Sequence, residues 1–175
     1  MARRIGLIAL LPLLLVTSLS AWCFLRSVHP PPVMPSVDQI VVDKRAHRMR
    51  LLRHGVVVKT YQVALGRGGM GNKSRQGDNR VPEGAYRIAG RNPHSAFHLS
   101  LHIGYPTQEQ ARAAAAVGID PGGDVMIHGL RRGLGWLGPW QSRIDWTRGC
   151  IAVTDGEIEE IWAMVPDGTP ILIRP

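Results

Sequence analysis

The sequence predicts a mainly β domain with short helices, arranged as a β-sandwich against which one or two helices pack. Runs rich in valine, leucine and tyrosine alternate with turns that contain glycine or proline, and this pattern is typical of strands. Only two segments carry a helix-capping pattern, and both are short. Strands are predicted at 39–43, 48–53, 56–65, 85–89, 97–103, 125–128 and 171–173.

Two of these strand predictions carry further detail. His54-Gly55 lies between two apolar runs, and such a pair favours a two-residue hairpin turn. Segment 97–103 alternates between apolar and polar residues, so His98 and His102 are predicted to share one face of a strand. We expect these two histidines to line a substrate cleft or to satisfy buried hydrogen bonds.

Both predicted helices begin at a threonine. Thr107 with Gln110, and Thr154 with Glu157, have the spacing of a capping box, in which two side chains satisfy amide groups of the first turn. Gly118 is expected to end the first helix, because glycine readily adopts the left-handed backbone found there.

Two long loops are predicted, at 66–80 and 130–145, and long loops in compact domains are often functional. The second loop contains Trp136 and Trp140 and is followed by Trp146. These tryptophans are expected to form either a lid that excludes water from a reacting group or a small apolar cluster under the loop.

The N-terminal residues have the pattern of an export signal. Arg3 and Arg4 precede a long uncharged, leucine-rich run, so residues 1–26 are predicted to be a signal peptide or an N-terminal membrane anchor. Residues 27–37 are rich in proline and predict a stiff linker. The folded domain is therefore expected at 38–175, exported to the periplasm or cell envelope, either released or anchored to the inner membrane.

The charge distribution limits the partners. The formal net charge is +8, and from Ser27 onward 18 basic and 13 acidic residues leave +5. This balance suits weak attraction to an anionic envelope polymer. Because the basic residues are scattered and no basic-aromatic module is present, nucleic acid is not an expected partner, and membrane contact is expected only through the N-terminal segment.

Cys150 is the only cysteine beyond the first 23 residues. In an exported protein thiols are normally paired, so a single thiol in the folded domain suggests a reactive group. His128 lies 22 positions upstream at the end of a predicted strand and is the candidate general base. The carbonyl of Gly129 is expected to orient His128, and the backbone N–H groups of Gly149 and Cys150 are expected to stabilise an oxyanion.

A family resemblance rests on several segments. The His-Gly pair followed by Thr-x-Gly-Cys-Ile, between Val125 and Ile151, resembles the signature of the YkuD-type L,D-transpeptidases of bacterial cell walls. The resemblance spans about residues 38 to 175. Its match to the YafK branch is carried by segments 77–84, 97–102, 121–124 and 149–154.

The resemblance implies roles for individual residues. Cys150 matches the nucleophile and His128 its general base, while Thr147 matches the family's serine or threonine. Two positions depart from the family pattern. Arg148 stands where a histidine is usual, and this fixed cation can still lower a thiol pKa. Ala152 stands where arginine or asparagine is common, so a donor to the substrate is missing.

The resemblance also implies the reaction and its partners. The thiolate would attack a peptidoglycan stem peptide at the L-centre carbonyl of diaminopimelate, expel a D-amino acid and form a thioester, with no cofactor and no metal. An amine acceptor then gives a cross-link or a lipoprotein attachment, whereas water gives an L,D-peptidase or amidase that can release a wall-attached lipoprotein. These outcomes share one acyl-enzyme, so both remain open.

Two other classes of protein compete with this interpretation. His98, His102 and His128 are candidate zinc ligands of a peptidase, although no tight metal-binding motif such as His-Glu-x-x-His is present. A wall-binding module that has lost catalysis is the second, and the presence of both His128 and Cys150 argues against it.

Overall fold

The computed structural model describes residues 36–175, so the predicted leader and nearly all of the predicted linker lie outside the described residues. No helix within 36–175 is long and apolar enough to cross a membrane. The described chain forms eight strands, two α-helices and a kinked 3-10 segment at Gly135–Arg143. The strands are β1 (Gln39–Asp43), β2 (Arg48–Arg53), β3 (Val56–Gln62), β4 (Gly84–Asn92), β5 (Ser100–Ile103), β6 (Met126–His128), β7 (Ile151–Ala152) and β8 (Pro170–Arg174), and the helices are α1 (Gln108–Ala116) and α2 (Asp155–Met164).

The strands form one curled sheet in the order β3-β2-β1-β8-β4-β5-β6-β7. Most neighbours are antiparallel, while β1 with β8 and β6 with β7 are parallel. The chain leaving β3 meets β7 at the opposite end of the order, through bridges from Ala64 to Ala152 and from Gly66 to Thr147. These bridges bring the two ends of the sheet together. The prediction of a mainly β domain with short helices is confirmed.

The core lies inside this curl, and α2 contributes to it. Ile158, Ile161 and Met164 of α2 are buried, at the spacing of one helix face. Both predicted capping boxes are present, at Thr107 and at Thr154. In contrast, α1 has no buried residue and lies on the surface, so α2 is the helix that packs against the strands.

Three predicted strand boundaries are corrected. The predicted strand 97–103 begins only at Ser100, because His98 has a φ of 65°, and this left-handed backbone interrupts an extended chain. The predicted strand 56–65 ends at Gln62, where pairing with β2 stops. The predicted strand 85–89 is longer, at Gly84–Asn92, because its two halves pair with different strands, β8 and β5.

A buried lysine fastens the long loop between β3 and β4. Lys44 is 1% exposed, and its Nζ donates to the carbonyl oxygen of Val81 at 3.1 Å, to that of Gly71, and to Glu83 Oε1 at 2.7 Å. A buried ammonium needs such partners, because an uncompensated charge in the interior is costly. Lys44 therefore holds the loop against the end of β1.

Candidate active site

Strands β6 and β7 bring His128 and Cys150 together. The two strands are parallel, and Ile127 pairs with Ile151 while His128 pairs with Ala152. Because side chains alternate along a strand, Cys150, which immediately precedes β7, lies on the same face as Ala152 and His128. The pairing of β6 with β7 thus sets Cys150 two residues before the partner of His128, although 22 positions separate the two in the chain.

The imidazole of His128 is buried and oriented. Its Nδ1 lies 2.7 Å from the carbonyl oxygen of Gly129, so Nδ1 carries the proton and Nε2 is left as the basic nitrogen. The rings of Phe97 and Trp146 pack against it, with centroids at 4.5 Å and 5.7 Å. Burial lowers the pKa of His128, an effect that the hydrogen bond to Gly129 opposes. The resting imidazole is therefore neutral.

The backbone at Gly129 has no room for a side chain. A Cβ there would lie 2.8 Å from Asp155 Oδ1 and 3.2 Å from the carbonyl oxygen of Phe97. The same Asp155 oxygen accepts a hydrogen bond from the Leu130 N–H at 2.8 Å. Helix α2 therefore positions the carbonyl that orients His128. Asp155 was not among the predicted site residues.

The turn before the nucleophile is held by Thr147. Its Oγ1 donates to the carbonyl oxygen of Cys150 at 2.8 Å and accepts from the Gly149 N–H at 3.2 Å. Gly149 has a φ of 114°, a conformation that favours glycine. Thr147 therefore stabilises the turn that carries Cys150. The Gly149 N–H is engaged by Thr147, which leaves the Cys150 N–H as the candidate oxyanion donor.

The thiol of Cys150 is half-buried. Its Sγ lies 3.6 Å from the carbonyl oxygen of Asp124. Burial raises the pKa of Cys150, and the charge of Asp124 adds to this, while the Met126 N–H and the charge of Lys73 act in the opposite direction. The net shift is upward, so the resting group is a thiol.

A cavity of about 410 Å³ opens beside the thiol. Its walls come from the loop between β3 and β4, from the chain before β6 and from the turn before β7. It is rich in polar and charged groups, which include Arg67, Lys73, Asn79, Asp124 and Arg148. This cavity is the candidate substrate site.

The two histidines predicted near the cleft lie elsewhere. His98 Nε2 pairs with Glu159 Oε1 at 2.8 Å, on the side of α2. His102 of β5 pairs with Met126 of β6, so strand β6 separates His102 from β7. Neither histidine lines the cavity at Cys150. Residues 36–175 contain no group of three or more His, Cys, Asp or Glu side chains arranged to hold a metal ion.

The tryptophans of the second loop divide into two groups. Trp146 packs on His128, and its Nε1 donates to Gln141 Oε1 at 3.2 Å. Trp136 and Trp140 are 78% and 66% exposed. A second, apolar cavity of about 350 Å³ lies between Trp140, Trp146 and Ile144. The small cluster predicted under the loop therefore includes Trp146 but excludes Trp136.

The fold is that of the L,D-transpeptidases. The helical cell shape determining protein Pgp2 of Campylobacter jejuni matches with a TM-score of 0.59 and 21% identity, over 80% of this chain and 48% of Pgp2. The L,D-transpeptidase of Xylanimonas cellulosilytica matches with a TM-score of 0.56 and 16% identity, over 89% of this chain and 69% of that structure.

The chain belongs to the YkuD family, because the model of the family's L,D-transpeptidase catalytic domain matches residues 38–173. YafK of Escherichia coli K12, which is named as an L,D-transpeptidase, is 30% identical over 111 residues, or 62% of this chain. The chain spans 37% of the length of YafK. The predicted family is confirmed, and YafK is among the relatives that the chain matches.

Proposed function

We propose that this domain is a cysteine-dependent L,D-transpeptidase that acts on peptidoglycan stem peptides through a thioester at Cys150. The observations that support the proposal are the pairing of β6 with β7, which sets Cys150 two residues before the partner of His128, and the contact of His128 Nδ1 with the carbonyl oxygen of Gly129. The contact with Gly129 leaves Nε2 of His128 as the free basic nitrogen, and we propose it as the base for the thiol. Membership of the YkuD family supports the substrate class.

Catalysis begins from a neutral pair. Burial disfavours both the Cys150 thiolate and a protonated His128, so the resting pair is a thiol and a neutral imidazole. Sγ attacks the L-centre carbonyl of diaminopimelate, and Nε2 of His128 takes the thiol proton. The Cys150 N–H is the proposed donor to the oxyanion, and the leaving D-amino acid receives its proton from His128.

The thioester then has two possible fates. Attack by an amine of another stem peptide forms a cross-link, whereas attack by water shortens or releases the donor. His128 serves as the base in both cases. A wall-attached lipoprotein, exported location and membrane attachment remain predictions of the sequence.

A digest of whole peptidoglycan sacculi tests the proposal. We expect the purified full chain to produce new diaminopimelate–diaminopimelate links, detected by mass after muramidase treatment. Shortened stems or released lipoprotein without new links would assign the hydrolytic fate instead. Sacculi that remain unchanged would contradict the proposal, and activity that is lost only on chelation would favour the zinc peptidase.

The neutral resting pair predicts the pH dependence. A base with a lowered pKa stays deprotonated to more acidic pH, so the acid limb of kcat/KM should lie below the usual histidine value of about 6.5. Alkylation of Cys150 by iodoacetamide should be slow at neutral pH and should accelerate only above the usual thiol range. Peptide-level mass spectrometry measures this at Cys150 alone. Fast alkylation at pH 6 would instead indicate a resting thiolate–imidazolium pair.

A further inference from the structure

Two arginines of the cavity have no part in the proposed chemistry. Gly66 and Thr147 form a parallel bridge, in which the Thr147 N–H donates to Leu65 at 3.1 Å and the Arg67 N–H donates to Thr147 at 3.0 Å. Arg67 and Arg148 each follow this bridge directly, on neighbouring segments. Both side chains are exposed, and both residues line the cavity that contains Cys150.

The other cation of this cavity is already neutralised. Lys73 Nζ donates to Asp78 Oδ1 at 2.9 Å and to the carbonyl oxygen of Arg75 at 3.1 Å. Within residues 36–175 neither Arg67 nor Arg148 has an ion-pair partner. Both guanidinium groups are therefore available to pair with an anionic ligand in this cavity.

The other side of the nucleophile offers no such donor. Ala152, two residues past Cys150, is fully buried and has no polar side-chain atom. Its backbone N–H and carbonyl are both bonded to Ala64. Ala152 therefore offers no donor to a charged group of the substrate.

We propose that Arg67 and Arg148 form a clamp for a free carboxylate of the donor stem peptide, next to the carbonyl that Cys150 attacks. The inference rests on the proposed function, because the ligand is the donor of that reaction. Guanidinium groups match carboxylates through paired N–H donors, so they fix orientation as well as charge. The clamp selects donors and positions the carbonyl over the thiol.

Two carboxylates of a stem tetrapeptide have this chemistry. One is the α-carboxylate of the leaving D-residue, and the other is the carboxylate at the D-centre of diaminopimelate. Binding of the first restricts the enzyme to donors with a free C-terminus. Binding of the second makes the enzyme sensitive to amidation of the diaminopimelate side chain.

Binding measured by calorimetry separates the clamp from catalysis. The full-length Cys150→Ala protein is titrated with three stem tetrapeptides: the free acid, the C-terminal amide and the diaminopimelate amide. We expect one amide to bind roughly 10- to 100-fold more weakly than the free acid, as expected for loss of a charged hydrogen-bonded pair. The amide that binds weakly identifies the carboxylate.

The arginines are then tested on the same ligands. Arg67→Gln with Arg148→Gln, in the Cys150→Ala background, should remove the preference by weakening binding of the free acid alone. Arg132→Gln, in an exposed position of the second loop, is the matched control and should keep the preference. Equal binding of all three peptides, no binding of any, or a preference that survives the double substitution would each overturn the clamp.

Turnover by the unsubstituted protein distinguishes the two proposals. If the protein binds the free acid preferentially but transfers no acyl group, the clamp is supported and the proposed function is contradicted. Turnover of free acid and both amides with the same KM would keep the proposed function and remove the clamp.

Discussion

Replacing Cys150 by alanine is expected to abolish turnover of peptidoglycan stem peptides, by on the order of 10⁴-fold or more in kcat. The thioester cannot form without Sγ, and His128 has no other thiol to deprotonate among residues 36–175. Intact-protein mass spectrometry during turnover should show an acyl adduct on the unsubstituted protein and none on the variant. Retained turnover by Cys150→Ala would remove the cysteine mechanism.

The fold of this variant should be intact. Sγ makes only weak polar contacts, at 3.6 Å to the carbonyl oxygen of Asp124 and with the Met126 N–H, and the half-buried side chain leaves little volume empty when it is shortened. Unfolding in urea should therefore give a midpoint close to that of the unsubstituted protein. Unchanged stability with lost turnover separates a chemical role from a structural one.

The parts of the fold that sequence reasoning predicted are set by local chemistry. The hairpin at His54-Gly55 has positive φ values of 51° and 76°, as a two-residue turn requires, and both threonine capping boxes formed as predicted. Each of these features depends on residues fewer than five positions apart. The strand predicted at 97–103 begins only at Ser100, because the backbone at His98 is left-handed. The periodicity of the sequence does not reveal such a break.

The candidate site also depends on contacts between residues that are far apart in the sequence. Cys150 and His128 were predicted as the site because their residue types carry the chemistry. Asp155 supports the chain beside Gly129, and Arg67 lies beside Arg148 with 80 residues between them. These contacts form where the two ends of the curled sheet meet. Local sequence patterns do not predict that closure.

Gly149→Ala is expected to lose both stability and activity. A Cβ at this position would lie 2.8 Å from the carbonyl oxygen of Arg80, which is backbone and cannot move aside freely. The φ of 114° adds strain of roughly 1–3 kcal/mol for a residue with a side chain. The turn must therefore shift, and it carries the Cys150 thiol and N–H with it.

A displacement of about 1 Å at reacting atoms can cost about 100-fold in rate, so kcat should fall by at least that factor while stability falls by about 2 kcal/mol or more.

Gly168→Ala is the matched control. Its φ is 82°, with nothing within 4 Å of a Cβ, and it lies in the turn before β8. Because Gly168 has the strain without the clash, its alanine variant should lose stability and keep kcat. Urea unfolding and stem-peptide turnover measure both effects, and a Gly149→Ala protein with unchanged kcat would show that the turn does not position the nucleophile.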